Sequence, residues 1–388
     1  MRTGERVAIP VPGGGWRSVP LLEPRDWPEH PAPFHSRSVL AAAHVVADPW
    51  GENVPGAPAA LDWEATLAFR RHLFRYGFGV AEAMDTAQRN QGLDWPAVRE
   101  LVRRSAAQAA ELGGRIAAGA GTDHRDEVSS VPEVVAAYVE QVEFVQGTGA
   151  QVIVMASRQL ARVAAGPADY RRAYRQLLAR ADRPVILHWL GEAFDPQLRG
   201  YWGSADLVTA TEVFLELVHA HASAIDGVKV SLMSAGHETD LRARLPAGVR
   251  LYTGDDFHYP ELIRGDGTRH SDALLGAFAA IAPAASAALA ALDAGDLPRY
   301  DAELAPTVPL SRQIFAPPTY YYKTGIAFLA WLCARQPGFS MVGGLQSARS
   351  ATHLAQVFAL ANQARLLPDP ELAAHRLSRW LAAAGVTR

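Results

Sequence analysis

The chain has 388 residues, 49% of them hydrophobic and 20% charged, with a formal net charge of −3. That length and apolar content can bury a large core, whether in one big domain or in two small ones. The balanced charge, with no basic cluster interleaved with exposed aromatics, excludes a nucleic-acid surface, so no nucleic-acid partner is expected.

Residues 1–37 are rich in proline and glycine, as in VPGGGW and EPRDWPEHPAPFH, and read as an irregular arm with room for a hairpin. The opening MRTGERVAIPVPGGGWRSVP lacks the apolar core of a signal peptide. No later stretch is apolar for long enough to span a bilayer. A cytoplasmic protein without a membrane partner is therefore expected. After the arm come eight short β-branched or apolar runs: SVLAAAHVV, GFGVAEA, RIAAGAG, AQVIVMA, PVILHWL, DGVKVSL, VRLYTGD and ALLGAFA. Longer amphipathic segments separate them, such as DWEATLAFRRHLFRYG and SADLVTATEVFLELVHAHA, several opened by an Asp or Ser cap. Eight such alternations predict an α/β fold, a closed (β/α)8 TIM barrel over residues 38–296, with chemistry at the carboxyl ends of the strands. From residue 297 the strands cease, and a C-terminal helical subdomain over 297–388 is expected. The single cysteine, Cys333, rules out an internal disulfide and suits a reducing compartment; its setting in FLAWLCARQ predicts a buried helix position.

Of the 37 basic residues only Lys229 and Lys323 are lysine, so a position that merely needed charge could have drifted to arginine. Lys323 follows three tyrosines, and its stem is expected to pack on aromatic surface. Lys229 alternates with Val228 and Val230 on the sixth run and so faces the barrel interior. Burial there disfavours the ammonium, which makes a nucleophilic amine able to attack a carbonyl; the competing reading is a strand-end lysine paired with a carboxylate. His237 and Glu238, in GHETD, read as a solvated helix start. The glycines of PGGGW and GTGAQVIV do not match a nucleotide-binding loop.

DGVKVS resembles the Schiff-base strand of the dihydrodipicolinate synthase and N-acetylneuraminate lyase family, class I aldolases and lyases on (β/α)8 barrels. RPVILHWLGE, RLYTGDD, RIAAGAGT, GFGVAEAMDTAQRNQGLDW and PPTYYYKTG resemble its neighbouring segments in order and spacing from about Ser38 to the C-terminus, as in a divergent branch of unknown function. The resemblance implies that Lys229 forms an imine, without any cofactor, on a small-molecule carbonyl substrate. His188 takes the place of the family's proton-relay tyrosine, and an imidazole would titrate nearer neutrality than a phenol. Asp255 and Asp256, after Gly254, stand where the family's sugar-acid lyases hold substrate hydroxyls; their other reading is a helix N-cap with a first-turn acid. Of the family's carboxylate-binding loop only Thr86 is kept, and Asp85 would repel a keto-acid carboxylate unless Arg89 offsets it. Ser157, Arg158 and Ala193 replace further family residues, which argues against dihydrodipicolinate synthase activity itself. Glu82 and His44 are expected at the barrel mouth. The implied activity is a Schiff-base aldolase or lyase acting on a keto sugar or sugar-acid-like substrate, in a homo-oligomer by family analogy. Two alternatives stay open: a metal-dependent sugar isomerase or epimerase using Glu82, His188, Asp255 and His258, and a non-catalytic sugar-binding barrel.

Overall fold

A computed structural model describes residues 5–30, 32–125 and 127–388; the first four residues of the expected arm, together with Pro31, lie outside them. The chain divides into two compact units. One consists of Arg37–Ala43 with Phe78–Gly276, and the other of the residues up to Ser36, His44–Gly77 and Ala277–Arg388.

In the second of these units, β1 (Arg6–Pro10) and β2 (Trp16–Pro20) form an antiparallel hairpin, with Val7, Ile9 and Val19 buried. Its helices are Trp63–Arg75, Ala277–Asp293, Leu297–Leu304, Thr307–Ile314, Tyr322–Leu332, Ala351–Gln363 and Pro370–Ala383. The first begins where the sequence predicts: Asp62 accepts the Ala65 amide at 2.9 Å and so satisfies one of the orphan donors of the opening turn. Lys323 lies buried, with Nζ 4.7 Å from the Tyr322 ring centre and donating to the Tyr320 carbonyl at 3.1 Å, as its aromatic setting implies. Cys333 stands one residue past the end of its helix, half-buried, and its thiol pKa is pushed up to about 12 by burial.

The other unit contains all eight barrel strands: β3 (Val39–Ala42), β4 (Gly79–Glu82), β5 (Ile116–Ala120), β6 (Gln151–Val154), β7 (Val185–Leu190), β8 (Ile225–Ser231), β9 (Arg250–Thr253) and β10 (Asp272–Leu275). Each pairs in parallel with the next, and β10 pairs with β3 to close the ring. The (β/α)8 TIM barrel expected from the eight runs is therefore the fold. Strand alternation sends Leu40, Ala42, Ala81, Ala117, Ile153, Ile186, Tyr252 and Leu274 into one interior cluster. Small residues on β4 and β5 leave room for Tyr252, whose hydroxyl crosses to Asp226 (2.8 Å) and Arg115 (3.2 Å). The barrel floor is thus filled, and open chemistry is confined to the strands' carboxyl ends. No helix among the described residues is long and apolar enough to cross a membrane.

Candidate active site

Lys229 faces inward on β8, paired in register with His188 on β7 and with Tyr252 on β9. It is 6% exposed, and no described residue hydrogen-bonds to its Nζ. Burial lowers its pKa from the ordinary lysine value, an effect that the nearby Asp85 and Asp256 carboxylates partly oppose. Gly254, just after β9, makes room for this arrangement: a Cβ there would overlap the Ser231 hydroxyl and lie 2.9 Å from Lys229 Cε and 2.8 Å from the Val230 carbonyl. Lys229, Ser231 and the backbone at Gly254 therefore meet at one point.

His188 is fully buried, and its Nε2 lies 3.2 Å from Ser231 Oγ. Its Nδ1 has no partner among the described residues. Burial and the Lys229 charge hold its pKa well below the ordinary histidine value. This corrects the expectation of an imidazole titrating near neutrality: the ring is neutral at pH 7. Ser231 was not singled out in the sequence, although its parity with Lys229, two residues earlier on the same strand, marks it as inward-facing.

The two acids after Gly254 have separate surroundings. Asp255 accepts the Phe257 and His258 amides at 2.9 and 3.1 Å, and its second oxygen lies 2.9 Å from His258 Nδ1. It braces its own loop, but the N-cap of the following helix, Tyr259–Arg264, is His258 and its first-turn acid is Glu261, so the reading of Asp255 and Asp256 as a helix N-cap with a first-turn acid does not hold. Asp256 is buried and shares the field of Lys229. Asp85 and Thr86 lie in a 3-10 turn (Asp85–Ala87) after β4, and Thr86 is buried.

Several expectations need correction. Glu82 follows Ala81, which belongs to the interior cluster, so it points to the opposite face of β4, where its Oε1 accepts the Ala83 amide at 2.9 Å. His44 falls in the helical unit, with Nε2 2.8 Å from Gln336 Oε1 and its ring edge-on to Phe69 at 4.4 Å. Arg89 does not offset Asp85. Its guanidinium is bidentate to Asp123, with Nε to Oδ2 at 2.7 Å, and also donates to Gln141 and to the Ala83 and Gly119 carbonyls. Burial alone would raise the Asp123 pKa, but Arg89 and Gln141 bring it down to about 2. Glu238 is 1% exposed rather than solvated, takes the hydroxyls of Ser271 (2.7 Å) and Thr253 (2.9 Å), and has its pKa pushed up to about 8 by burial. His237 is half-buried, with Thr211 at 2.9 Å and Trp189 edge-on. No group of three or more His, Cys, Asp or Glu side chains among the described residues could hold a metal ion, so Glu82, His188, Asp255 and His258 do not assemble the site that a metal-dependent isomerase needs.

The architecture recurs in solved structures. A candidate dihydrodipicolinate synthetase from Pseudomonas aeruginosa matches at 17% identity with a TM-score of 0.65, over 84% of this chain and 99% of its own. The dihydrodipicolinate synthase of Bacteroides thetaiotaomicron matches at 12% identity and 0.64, over 85% and 99%. That of Oceanobacillus iheyensis matches at 14% and 0.62, over 90% and 97%. A comparison with curated proteins finds no match. The family described as "Protein of unknown function (DUF993)" matches residues 7–386. The barrel is that of the dihydrodipicolinate synthases, and the chain belongs to the DUF993 family, a divergent branch of that fold.

Proposed function

We propose that this barrel is a class I carbon–carbon lyase or aldolase that forms an imine through Lys229 on a keto sugar or sugar-acid-like substrate, and that it is not a dihydrodipicolinate synthase. The observation that carries the reading is the Lys229 amine: inward, buried, without a hydrogen-bond partner among the described residues and with a lowered pKa, in a chain whose other cations are all arginine except Lys323. The aldolase-type fold of the solved neighbours supports it.

The neutral amine adds to the substrate carbonyl carbon, the carbonyl oxygen leaves as water, and a protonated imine results. That cation accepts the electron pair of the breaking carbon–carbon bond while a base removes the proton from the hydroxyl that becomes the departing aldehyde. Protonation of the resulting enamine carbon and hydrolysis of the imine return Lys229. His188, neutral and joined to Ser231, serves as the base and gives the proton back in the later step. Asp85 and Asp256 accept substrate hydroxyls. Their charge disfavours a carboxylate beside the reacting carbonyl, and Arg89 is committed to Asp123; both points favour a keto sugar over pyruvate.

Incubation with dihydroxyacetone, fructose or pyruvate followed by borohydride, with intact-mass and peptide mapping, tests the reading. The expected result is a reduced adduct on the Lys229 peptide, strongest with the polyhydroxy ketones and absent in Lys229→Arg. A folded protein that gives no adduct with these or a wider keto-sugar panel, and that binds such sugars unchanged, would establish the non-catalytic alternative instead.

A further inference from the structure

The helical unit contains a cavity of about 280 Å³ built from residues that the barrel chemistry does not use. One wall is the face of helix Trp63–Arg75 that carries Phe69, His72 and, just past its end, Tyr76. These three rings touch in series, at 5.8 Å and then 5.1 Å between centroids. Ala279, Ala280 and Pro283 of helix Ala277–Asp293 form a second wall, and Leu329 and Ala330 of helix Tyr322–Leu332 a third. Trp27 and Leu366 complete the apolar lining.

The charges around this cavity are not equivalent. Arg25 is held bidentate by Glu303 at 2.5 and 2.6 Å, Glu29 pairs with Arg75, and the Arg365 guanidinium donates to the Glu23 and Pro24 carbonyls. Asp26 and Glu29 are exposed residues at the rim. Arg335 is the cation left over: half-buried and lining the cavity, its guanidinium makes no hydrogen bond or ion pair with a described residue. Its charge is felt by His72, Tyr76 and Cys333, which places it beside the aromatic wall, and by the Glu29 carboxylate at the rim, which is itself paired with Arg75. Burial and the Arg335 and Arg75 charges hold His72 neutral, with a pKa near 3, so that ring adds no competing cation. The Tyr76 hydroxyl, on a residue only 7% exposed, has no hydrogen-bond partner among the described residues. A half-buried guanidinium without a direct carboxylate partner is open to an anion, and planar carboxylates match its paired N–H groups.

We propose that this cavity binds a small monocarboxylate with a compact apolar body, its carboxylate on Arg335 and the Tyr76 hydroxyl and its body against Phe69, Ala280 and Leu329. The volume is at the lower end for ligand pockets, which limits the ligand to roughly the size of a single aromatic ring with a short substituent. An apolar cavity with a few convergent polar groups is the usual form of such a site. The site is independent of the imine reading, because it shares no residue with it.

Calorimetric titration of the full chain with benzoate and with hexanoate, at fixed ionic strength and with benzyl alcohol and benzylamine as controls, tests the proposal. The expected result is saturable binding of one or both carboxylates and none of the neutral or cationic controls. Arg335→Gln should weaken binding at least tenfold, and Ala280→Phe, which fills the cavity from an alanine on its wall, should abolish it; Lys229→Arg should bind as the parent does. No saturable binding of either acid to the folded protein would overturn the proposal, as would equal affinity in Ala280→Phe or equal affinity for benzyl alcohol. Should Arg335→Gln fail to fold, the cavity-filling variant and the uncharged control decide the matter on their own.

Discussion

Burial pushes both the Lys229 ammonium and the Glu238 carboxyl towards their neutral forms, yet the surroundings give the two groups opposite uses. No described residue hydrogen-bonds the Lys229 amine, and on the proposed reading its lowered pKa favours the free lone pair that attacks the carbonyl. Imine formation should therefore rise with pH through a pKa below the ordinary lysine value of 10.5, read as the rate of borohydride-trapped adduct against pH. Glu238 is gripped by Ser271 and Thr253, and its consequence is stability. Between its ordinary value of 4.5 and about 8 the folded chain keeps a proton that the unfolded chain has lost, so stability falls as pH rises across that window. The slope is at most about 1.4 kcal/mol per pH unit. Glu238→Gln, neutral at every pH, should remove that slope, and urea unfolding at pH 5, 6.5 and 8 would show a flatter series than the parent. A parent already flat over this range would mean that Glu238 is ionised. Gly254→Ala is the complementary test of crowding. Its methyl meets the Val230 carbonyl as well as Lys229 and Ser231, so a loss of about 1–3 kcal/mol is expected, together with a loss of adduct formation.

At the level of strands and loops, the sequence was most readable where period and length agreed. All eight apolar runs are barrel strands, because each is short, β-branched or small, and followed by a helix, several of them capped by an Asp or Ser side chain as at Asp62, Asp94, Ser157 and Asp206. Lys229 could be oriented because valines flank it. Glu82 could not, because alanines stand on both sides of it and alternation between small residues gives no sign of which face is the core. Glu238 was misread because a polar string at a helix start looks solvated until the hydroxyls of two later strands close over it. Arg89 is a similar case: its partner Asp123 follows β5, 34 residues on, so the pairing belongs to adjacent strand ends rather than to either local sequence. That ion pair ties the loop after β4 to the loop after β5, with Arg89 fully buried. Asp123→Asn should cost about 3–5 kcal/mol, since it leaves a buried guanidinium without its counter-charge. Chemical denaturation gives the number, and a loss below about 1 kcal/mol would show that Gln141 and the two carbonyls suffice.

Over the whole chain, the two ends are held together by hydrogen bonds that no local pattern announces. Asn362, 2% exposed on helix Ala351–Gln363, accepts the Leu22 amide at 3.0 Å and donates to the Pro20 carbonyl at 2.9 Å. Trp27 donates to the Arg365 carbonyl at 3.1 Å, and Arg365 returns a bond to the Glu23 carbonyl at 2.9 Å. These links use backbone groups of a proline-rich segment that has no ladder of its own, so a side chain some 340 residues away does the work that strand pairing does in β1 and β2. Asn362→Ala removes both hydrogen bonds, and since Pro20 and Leu22 are exposed enough for water to take over, a loss of about 0.5–1.5 kcal/mol for each bond is expected. Such a loss should appear as local opening, because the hairpin has only two strands and unfolds at a lower cost than the closed barrel. Hydrogen exchange should then show faster exchange at Leu22 and in β1 and β2, with β7 and β8 as protected as in the parent. Equal loss of protection in the barrel strands would mean instead that the substitution acts through global unfolding, and the side-chain links of the arm would then be part of what sets the stability of the whole chain rather than of the hairpin alone.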